Sequence, residues 1–140
     1  MHYSRLLYTS RACPRPDADL TDCDSDAIAA QARQRNSVSG ITGCLVLVDG
    51  TYLQILEGAP EQVEETFERI CKDMRHADVR LIDLVGTGER LFEGWDMACL
   101  DGSAADCGEG MADELRHVRN LAGVNATQAV AFMRELVARA

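Results

Sequence analysis

The stretch that decides the fold is ITGCLVLVDGTYLQILE, residues 41–57. It contains two apolar runs of strand length, separated by Asp49-Gly50, a dipeptide that strongly indicates a tight β-hairpin. Neither run alternates between apolar and polar residues, so both faces of these strands are expected to be buried. The stretch therefore predicts a central hairpin in a sheet that has a layer of structure on each side.

Helices and further strands are expected on both sides of this hairpin. Ser25 is a good N-cap for a helix that ends near Arg35, and Pro60 suits the first turn of a second helix. The remaining strands are expected at Arg5–Ser10, Val79–Val85 and Gly94–Leu100. The resulting order, β-α-β-β-α-β-β, predicts an α+β domain with a ferredoxin-like sheet, whose two helices cover one face.

The C-terminal part of the chain is expected to cover the other face of the sheet. Residues 103–110 are small and polar, and two helices are expected after them, at Met111–Ala122 and Thr127–Ala138. The second of these helices has an apolar stripe suited to packing. We therefore divide the chain into a domain over residues 1–102 and a two-helix extension over residues 103–140 that packs on the sheet.

The composition argues against several classes of function. The formal net charge of −9 repels a phosphate backbone, so direct nucleic-acid binding is not expected. No apolar run is long enough to span a membrane, and the N-terminus lacks the organisation of a signal peptide, so a cytoplasmic protein is expected. The six cysteines have no CxxC spacing, so we interpret them as reduced thiols and expect no metal site.

Gln54 lies in the middle of the second apolar run, where a side chain is expected to be buried. A buried amide without partners costs about 1–3 kcal/mol, and Leu or Val would pack there without that cost. We therefore expect another group inside the protein to use both the donor and the acceptor of this amide. Asn36 is a second amide of interest, because it continues the buried helical stripe of Ile28 and Ala32.

Five short motifs occur in order along the chain. They are Tyr8-x-Ser10; Asn36 followed by Ser39-Gly40-Ile41-Thr42-Gly43; Gln54-Ile55-Leu56-Glu57-Gly58; Asp73-x-Arg75-His76-x-x-Val79; and Arg90-x-Phe92-x-x-Trp95-x-Met97. Together they closely resemble the BLUF family of blue-light receptors, which bind a flavin non-covalently. The resemblance covers most of the predicted first domain, and the tail is similar to the two-helix extension of short, stand-alone members.

The resemblance implies photoactive roles for four residues. Tyr8 corresponds to the photoactive tyrosine of the family and Gln54 to its switching glutamine. Trp95 and Met97 correspond to the tryptophan and methionine of its last strand. Which of these two side chains faces the flavin is left open.

The resemblance also implies a flavin pocket. The isoalloxazine ring would lie between Ile28 and Ile70, a suitable pair because its faces are largely apolar. Asn36 would hold the polar pyrimidine edge, where an amide suits both N3–H and O4. The further flavin-binding positions implied are Arg35, Arg75 and His76. The family implies FAD, while FMN and riboflavin stay open.

The implied function is that of a light sensor rather than an enzyme. Light would drive electron and proton transfer from Tyr8, leaving Gln54 in a different rotamer or tautomer with a changed hydrogen bond to the flavin. The flavin absorption would shift to the red with no substrate converted. The signal would pass through Trp95 or Met97 to the C-terminal helices, and from there to a partner protein that the sequence does not identify. Homo-oligomers are common among family members of this size.

Two other classes of function fit the scaffold. One is a light-insensitive interaction module on the same fold without a functional flavin, against which the presence of Tyr8, Asn36 and Gln54 argues. The other is a small hydrolase similar to acylphosphatases. That activity would need a glycine-rich phosphate loop after the first strand, where this chain has Ala12-Cys13-Pro14.

The chain departs from the family pattern between Tyr8 and Asn36. This segment is a few residues longer than in typical members and contains Pro14 and Pro16. Arg35 stands where the family often has His or Asn, and its side chain is a candidate contact for the ribityl or phosphate groups. Neither departure involves Gln54, so we expect the photochemistry to be retained.

Overall fold

The computed structural model describes residues 2–12, 30–35, 39–72, 76–102 and 109–139, which form one five-stranded sheet and the helices around it. The elements in chain order are β1 Tyr3–Ala12, α1 30–35, β2 Thr42–Val48, β3 Thr51–Gly58, α2 Pro60–Cys71, β4 His76–Thr87, β5 Ala98–Asp101, α3 Glu109–Ala122 and α4 Ala126–Arg139. The strand order across the sheet is β4-β1-β3-β2-β5.

The central hairpin forms as the sequence predicts. Strands β2 and β3 pair antiparallel from Thr42 opposite Glu57 to Val48 opposite Thr51. The two turn residues have positive φ angles, 49° at Asp49 and 73° at Gly50. Aspartate and glycine tolerate this left-handed region, whose twist matches that of the flanking strands. The turn therefore fixes the register of both strands.

The two faces of the sheet bury separate apolar cores. One face, called the α2 face here, carries Leu6, Tyr8, Leu45, Tyr52 and Leu56. Val63 of α2 is buried against them, with Phe67 and Ile70 partly buried beside it. Helix α2 thus packs on one face of the sheet, as the sequence predicts for the first two helices.

The opposite face, called the C-terminal face here, packs against α3 and α4. Its strands contribute Leu7, Cys44, Val46, Leu53 and Ile55. The helices contribute fully buried side chains, among them Leu115, Val118, Met133 and Leu136. The α+β, ferredoxin-like prediction, with helices on both faces, is confirmed. Within the described residues, no helix is both long and apolar enough to cross a membrane.

One predicted strand is wrong over half of its length. Residues Gly94–Leu100 were expected to be extended, but the strand covers only Ala98–Asp101 and runs parallel to β2. Gly94 has a φ of 95°, and the Trp95 amide donates to the carbonyl of Phe92 at 3.0 Å, which closes a turn instead. Trp95 and Met97 therefore precede the last strand.

Candidate functional site

Tyr8 and Gln54 are neighbours across two antiparallel strands. They are directly paired in the register of β1 and β3, so their side chains project from the same face of the sheet. Both are buried, with exposed fractions of 0% and 2%. The Tyr8 hydroxyl donates a hydrogen bond to Gln54 Oε1. Two residues that the sequence marks separately thus form one polar pair inside an apolar core.

The amide nitrogen of Gln54 points to Met97. Nε2 lies 3.4 Å from Met97 Sδ, and Met97 is itself buried. A thioether sulfur is a weak acceptor, and it is the one acceptor that this nitrogen has among the described residues. A strong buried donor therefore has a weak partner, so a carbonyl oxygen or ring nitrogen would satisfy it better. That requirement fits the polar edge of a flavin.

The surroundings of this polar pair also fit a flat apolar ring. The Tyr8 and Phe67 rings lie 5.5 Å apart between centroids with an interplanar angle of 51°. Ala32 of α1 and Ile70 of α2 pack as partly buried residues against the same core. Apolar walls with a few placed polar groups are typical of cofactor sites. No cluster of three metal-binding side chains occurs within the described part of the chain.

The predicted cofactor-binding residues differ in what can be said of them. Ile28, Asn36 and Arg75 lie outside the described residues. Arg35 ends the described part of α1 as an exposed residue, and its carbonyl accepts a hydrogen bond from Ser39 Oγ at 3.1 Å. His76 begins β4 opposite Ala12. Their contacts with a flavin stay predictions.

Met97 and Trp95 occupy opposite sides of the sheet. Met97 belongs to the core of the α2 face, beside Gln54. Trp95 packs against the core of the C-terminal face, where the guanidinium carbon of Arg134 lies 4.7 Å from its ring centroid. In this structure Met97 lies beside Gln54 and Trp95 lies beside Arg134 of α4, and which of the two would face a flavin stays a prediction.

Residues 91–97, called the readout segment here, connect these two sides. The segment passes over the start of β2, where the Gly43 amide donates to the Trp95 carbonyl at 3.1 Å. A Cβ atom at Gly43 would lie only 1.9 Å from the Ile55 carbonyl oxygen, so no larger residue fits without moving β3. The glycine allows close approach of the strand that carries Gln54.

Arg33 is a contact that sequence reasoning missed. Its Nε donates to the Met97 carbonyl at 2.8 Å, which links α1 to the residue that contacts Gln54. An arginine on an amphipathic helix is ordinarily a solvent-facing residue, so no sequence signal marks this one. The link arises only from the fold.

Glu57 is a second residue whose role was missed, although a signal was available. It lies in a fully buried strand, and a charged side chain there requires partners. Arg5 stands opposite it in the register of β1 and β3, and their side chains form an ion pair at 2.8 Å. Its other partners are distant in sequence and could not be predicted.

The described cysteines Cys44, Cys71 and Cys99 form no disulfide bond. Burial, with a smaller contribution from nearby Cys99, raises the pKa of the Cys44 thiol above its ordinary range. A neutral, buried thiol packs as a small apolar group and does not act as a nucleophile. The interpretation of Cys44 as a reduced core residue agrees with this position.

Comparison with known proteins places these features in a family. The family model described as sensors of blue-light using FAD (BLUF) matches residues 3–98. The photoactivated adenylate cyclase subunit beta of Euglena gracilis is 38% identical over 87 residues, or 62% of this chain and 10% of that protein. The chain therefore spans about a tenth of the length of this relative.

Two solved structures match nearly the whole chain. The dark-state structure of BlrB, a BLUF protein, has a TM-score of 0.71 at 26% identity, and the match covers 99% of this chain and 98% of that one. The structure of BlsA in its photo-activated state has a TM-score of 0.74 at 27% identity, with 96% and 94% covered. The similarity to these structures includes the C-terminal helices as well as the sheet.

Proposed function

Since this chain belongs to the BLUF family of flavin-binding blue-light sensors, we propose that it is a photoreceptor in which Tyr8 and Gln54 form the light-operated switch. The family description is that of a sensor and names no enzymatic activity. The roles of Tyr8 and Gln54, the choice of FAD and the signalling output are the parts proposed here. A cytoplasmic location stays a prediction from the sequence.

The buried bond between Tyr8 and Gln54 is the observation that carries this proposal. A tyrosine hydroxyl and an amide with no solvent contact need a partner network that is complete in each state of the switch. In the present arrangement, the Gln54 oxygen accepts from Tyr8 and its nitrogen donates to Met97. An amide offers one alternative arrangement, with oxygen and nitrogen exchanged, and that gives the pair two states.

When bound, a flavin would supply the absorption of blue light and an acceptor for an electron from a nearby donor. Tyr8 is suited to lose that electron, because its hydroxyl proton can move along the hydrogen bond to Gln54 Oε1 as charge develops on the ring. Both the electron and the proton return to Tyr8, so no net oxidation remains. The lasting change is the orientation or tautomer of the Gln54 amide.

An exchanged amide would affect Met97 directly. Met97 sulfur can accept a weak hydrogen bond but has no proton to donate. When the amide oxygen replaces the nitrogen beside Sδ, the contact at 3.4 Å loses its attraction and Met97 is released. The Met97 carbonyl accepts a hydrogen bond from Arg33 of α1, so the release of Met97 would also alter this contact between the segment and α1.

We propose that Trp95 passes the signal to α4 on the other side of the sheet. It lies two residues before Met97 in the readout segment and contacts Arg134 of α4. A shift of the segment would therefore alter the packing of α4, a change suited to capture or release a partner protein. The proposed output is an interaction with a downstream signalling protein that is not identified, and the chain is proposed to form homo-oligomers.

The cofactor proposal is FAD, held by the residues that the family resemblance assigns. Ile28 and Ile70 would cover the ring faces, and Asn36 would bind the pyrimidine edge. Two contacts among the described residues support this ring site. Ile70 of α2 packs against the core of the α2 face, and the Tyr8 ring of β1 lies beside Phe67 of α2. Arg35, Arg75 and His76 complete the proposed set toward the ribityl and phosphate groups.

A light-insensitive interaction module is the alternative, and one observation favours it. The large exposed hydrophobic residues of the described chain are Leu81, Leu84 and Val85 on β4 and Val124 after α3. Such residues on an edge strand are suited to contacts with another protein whether or not flavin is bound.

The visible absorption spectrum before and after blue light separates these functions. We expect the protein purified in the dark to show a flavin spectrum that shifts to the red on illumination and relaxes in darkness. Protein that stays colourless after incubation with FAD would support the interaction module. Protein that binds flavin but does not shift would contradict the role proposed for Tyr8 and Gln54.

A further inference from the structure

The Glu57 carboxylate accepts hydrogen bonds from four donors, as many as its two oxygens can accommodate. Its exposed fraction is 0%, and it lies on the C-terminal face, in line with Leu53 and Ile55. A buried carboxylate is retained at a cost unless its partners compensate for lost hydration. The identity of those partners shows what this charge does.

The partners of Glu57 belong to two groups. Arg5 Nε donates to Oε2 at 2.8 Å and neutralises the charge. The backbone amides of Leu91 and Phe92 donate to Oε2 and Oε1 at 2.9 and 2.8 Å. The Thr42 hydroxyl adds a longer bond of 3.4 Å to Oε1. The carboxylate thus binds the backbone at the start of the readout segment as well as its counter-ion.

Both ends of the readout segment are consequently attached to β3. Glu57 holds its first two residues, and Gln54 holds its last residue through Met97. The two attachment points lie about 10 Å apart along the strand, from a rise of about 3.3 Å per residue. The attachment at Glu57 is strong and charged, whereas the attachment at Gln54 is a weak contact to sulfur.

We propose that Glu57 is a positioning residue that anchors the start of the readout segment and thereby sets how quickly the switch returns to its dark state. This inference rests on the proposed function, since it concerns the lifetime of the rearranged Gln54. With the start fixed, a released Met97 stays close to Gln54 at high effective concentration. If the start of the segment is loosened, Met97 can occupy more positions, and its return to contact with Gln54 becomes slower.

Two substitutions separate this anchor from a plain ion pair. Glu57→Gln keeps the shape but turns an amide nitrogen toward groups that all donate, so at least one of the bonds is lost. Arg5→Met removes the counter-ion, together with the bond from Arg5 Nη2 to the Glu89 carbonyl at 3.3 Å, and leaves both carboxylate oxygens available to Leu91 and Phe92. Glu61→Gln makes the same chemical change at an exposed position in the first turn of α2 and serves as the control.

The measurements are the rate of dark recovery after blue light and hydrogen exchange of the backbone amides over residues 91–97 in the dark, on the full chain loaded with FAD. We expect Glu57→Gln to slow recovery by about threefold or more and to speed exchange at Leu91 and Phe92. Arg5→Met should change both by less, and Glu61→Gln should change neither. Recovery at the wild-type rate in Glu57→Gln, or an equal slowing in Arg5→Met, would overturn the anchor.

The wild-type protein provides a test even where a substitution prevents folding. The anchor predicts that the Leu91 and Phe92 amides are protected in both dark and light, while exchange near Met97 increases in the light. Unprotected Leu91 and Phe92 amides would refute it. Flavin-loaded wild type that does not shift would refute the proposed function and the kinetic role together, and the dark exchange data would still decide whether Glu57 holds the segment.

Discussion

The α2 face and the C-terminal face of the same strand make opposite use of polar side chains. On the α2 face, Gln54 has one bond from Tyr8 and one weak contact to Met97 sulfur. On the C-terminal face, the Glu57 carboxylate receives four donors, two of them backbone amides. An amide with exchangeable ends can adopt a second arrangement at small cost, whereas a saturated carboxylate cannot.

This difference would allow a rigid sheet to contain the switch that we propose. The backbone pairing of β3 with β1 and β2 is continuous through Gln54, so the strand itself need not move. What can change in the proposed mechanism is the side-chain contact between Gln54 and Met97, at the weakly attached end of the readout segment. With the other end held by Glu57, the proposed displacement would be directed toward Trp95 and α4.

The largest effect is expected from Tyr8→Phe, which removes the hydroxyl that donates to Gln54 on the α2 face. The substitution deletes one hydroxyl from a buried ring and leaves the apolar packing in place, so flavin should still bind. Without the hydroxyl, the electron and proton donor proposed here is lost. We expect the light-induced red shift to disappear, as measured by absorption of the purified protein before and after illumination.

Tyr52→Phe is the matched control for that experiment. Tyr52 is buried on the same face, on β3 and two residues from Gln54. If buried tyrosines near the flavin acted interchangeably, the two substitutions would have similar effects. A retained shift in Tyr8→Phe, or a lost shift in Tyr52→Phe, would contradict the assignment of the donor to Tyr8.

The second effect concerns the C-terminal face, where packing rather than switching is expected. Met133 is fully buried in α4. Met133→Ala leaves a cavity and should lower the free energy of unfolding by about 2–5 kcal/mol. The measurement is urea denaturation, with the dark flavin spectrum recorded in parallel. The position of the dark absorption band should not change, because the substituted side chain lies across the sheet from Gln54.

A surface substitution calibrates that result. Val124 is 87% exposed, and Val124→Ala should change stability by no more than about 0.5 kcal/mol. A shifted flavin band in Met133→Ala would show that the two faces are not independent in the dark. Such a shift would contradict the division between an α2 face that switches and a C-terminal face that only packs.

The sequence predicts those parts of the molecule whose causes are local. The Asp49-Gly50 turn, the start of α2 at Pro60 and the buried stripe of α4 depend on neighbouring residues and agree with the structure. The predicted strand Gly94–Leu100 is a strand only from Ala98 onward, and residues 94–97 belong to the readout segment instead. Its path is set by Glu57, which is 34 and 35 residues away along the chain from the amides it binds.

The same reasoning explains which parts of the site could be anticipated. Gln54 is recognisable because a buried polar residue in an apolar run is unusual, whereas Tyr8 is marked by its place in a family motif. The opposite orientations of Trp95 and Met97 are not recognisable, because alternation along a strand does not apply to a turn closed by Gly94. Arg33 acquires its contact with Met97 only when α1 packs against the sheet.

The smallest effect is expected at the turn of the hairpin, where the sheet meets α3. Asp49 Oδ2 accepts hydrogen bonds from Arg116 at 2.8 Å and Arg119 at 3.1 Å. The hydrogen bond from Arg116 is the main cause that holds the pKa of the Asp49 carboxyl below its ordinary value of 3.8. A lowered pKa in the folded state means that the carboxylate stabilises the fold above the unfolded-state pKa, and that this contribution is lost as the pH falls through the folded-state value.

Asp49→Asn tests that contribution without disturbing the turn, because asparagine also tolerates the positive φ at this position. Denaturation at neutral pH should show the variant slightly less stable than wild type, and the difference should vanish in acid, where the wild-type carboxyl is protonated. Salt should reduce the difference as well, since these charges are solvent-exposed. A difference that persists unchanged in acid would mean that Asp49 acts through the shape of the turn, and the contact between the hairpin and α3 would then be one of packing alone.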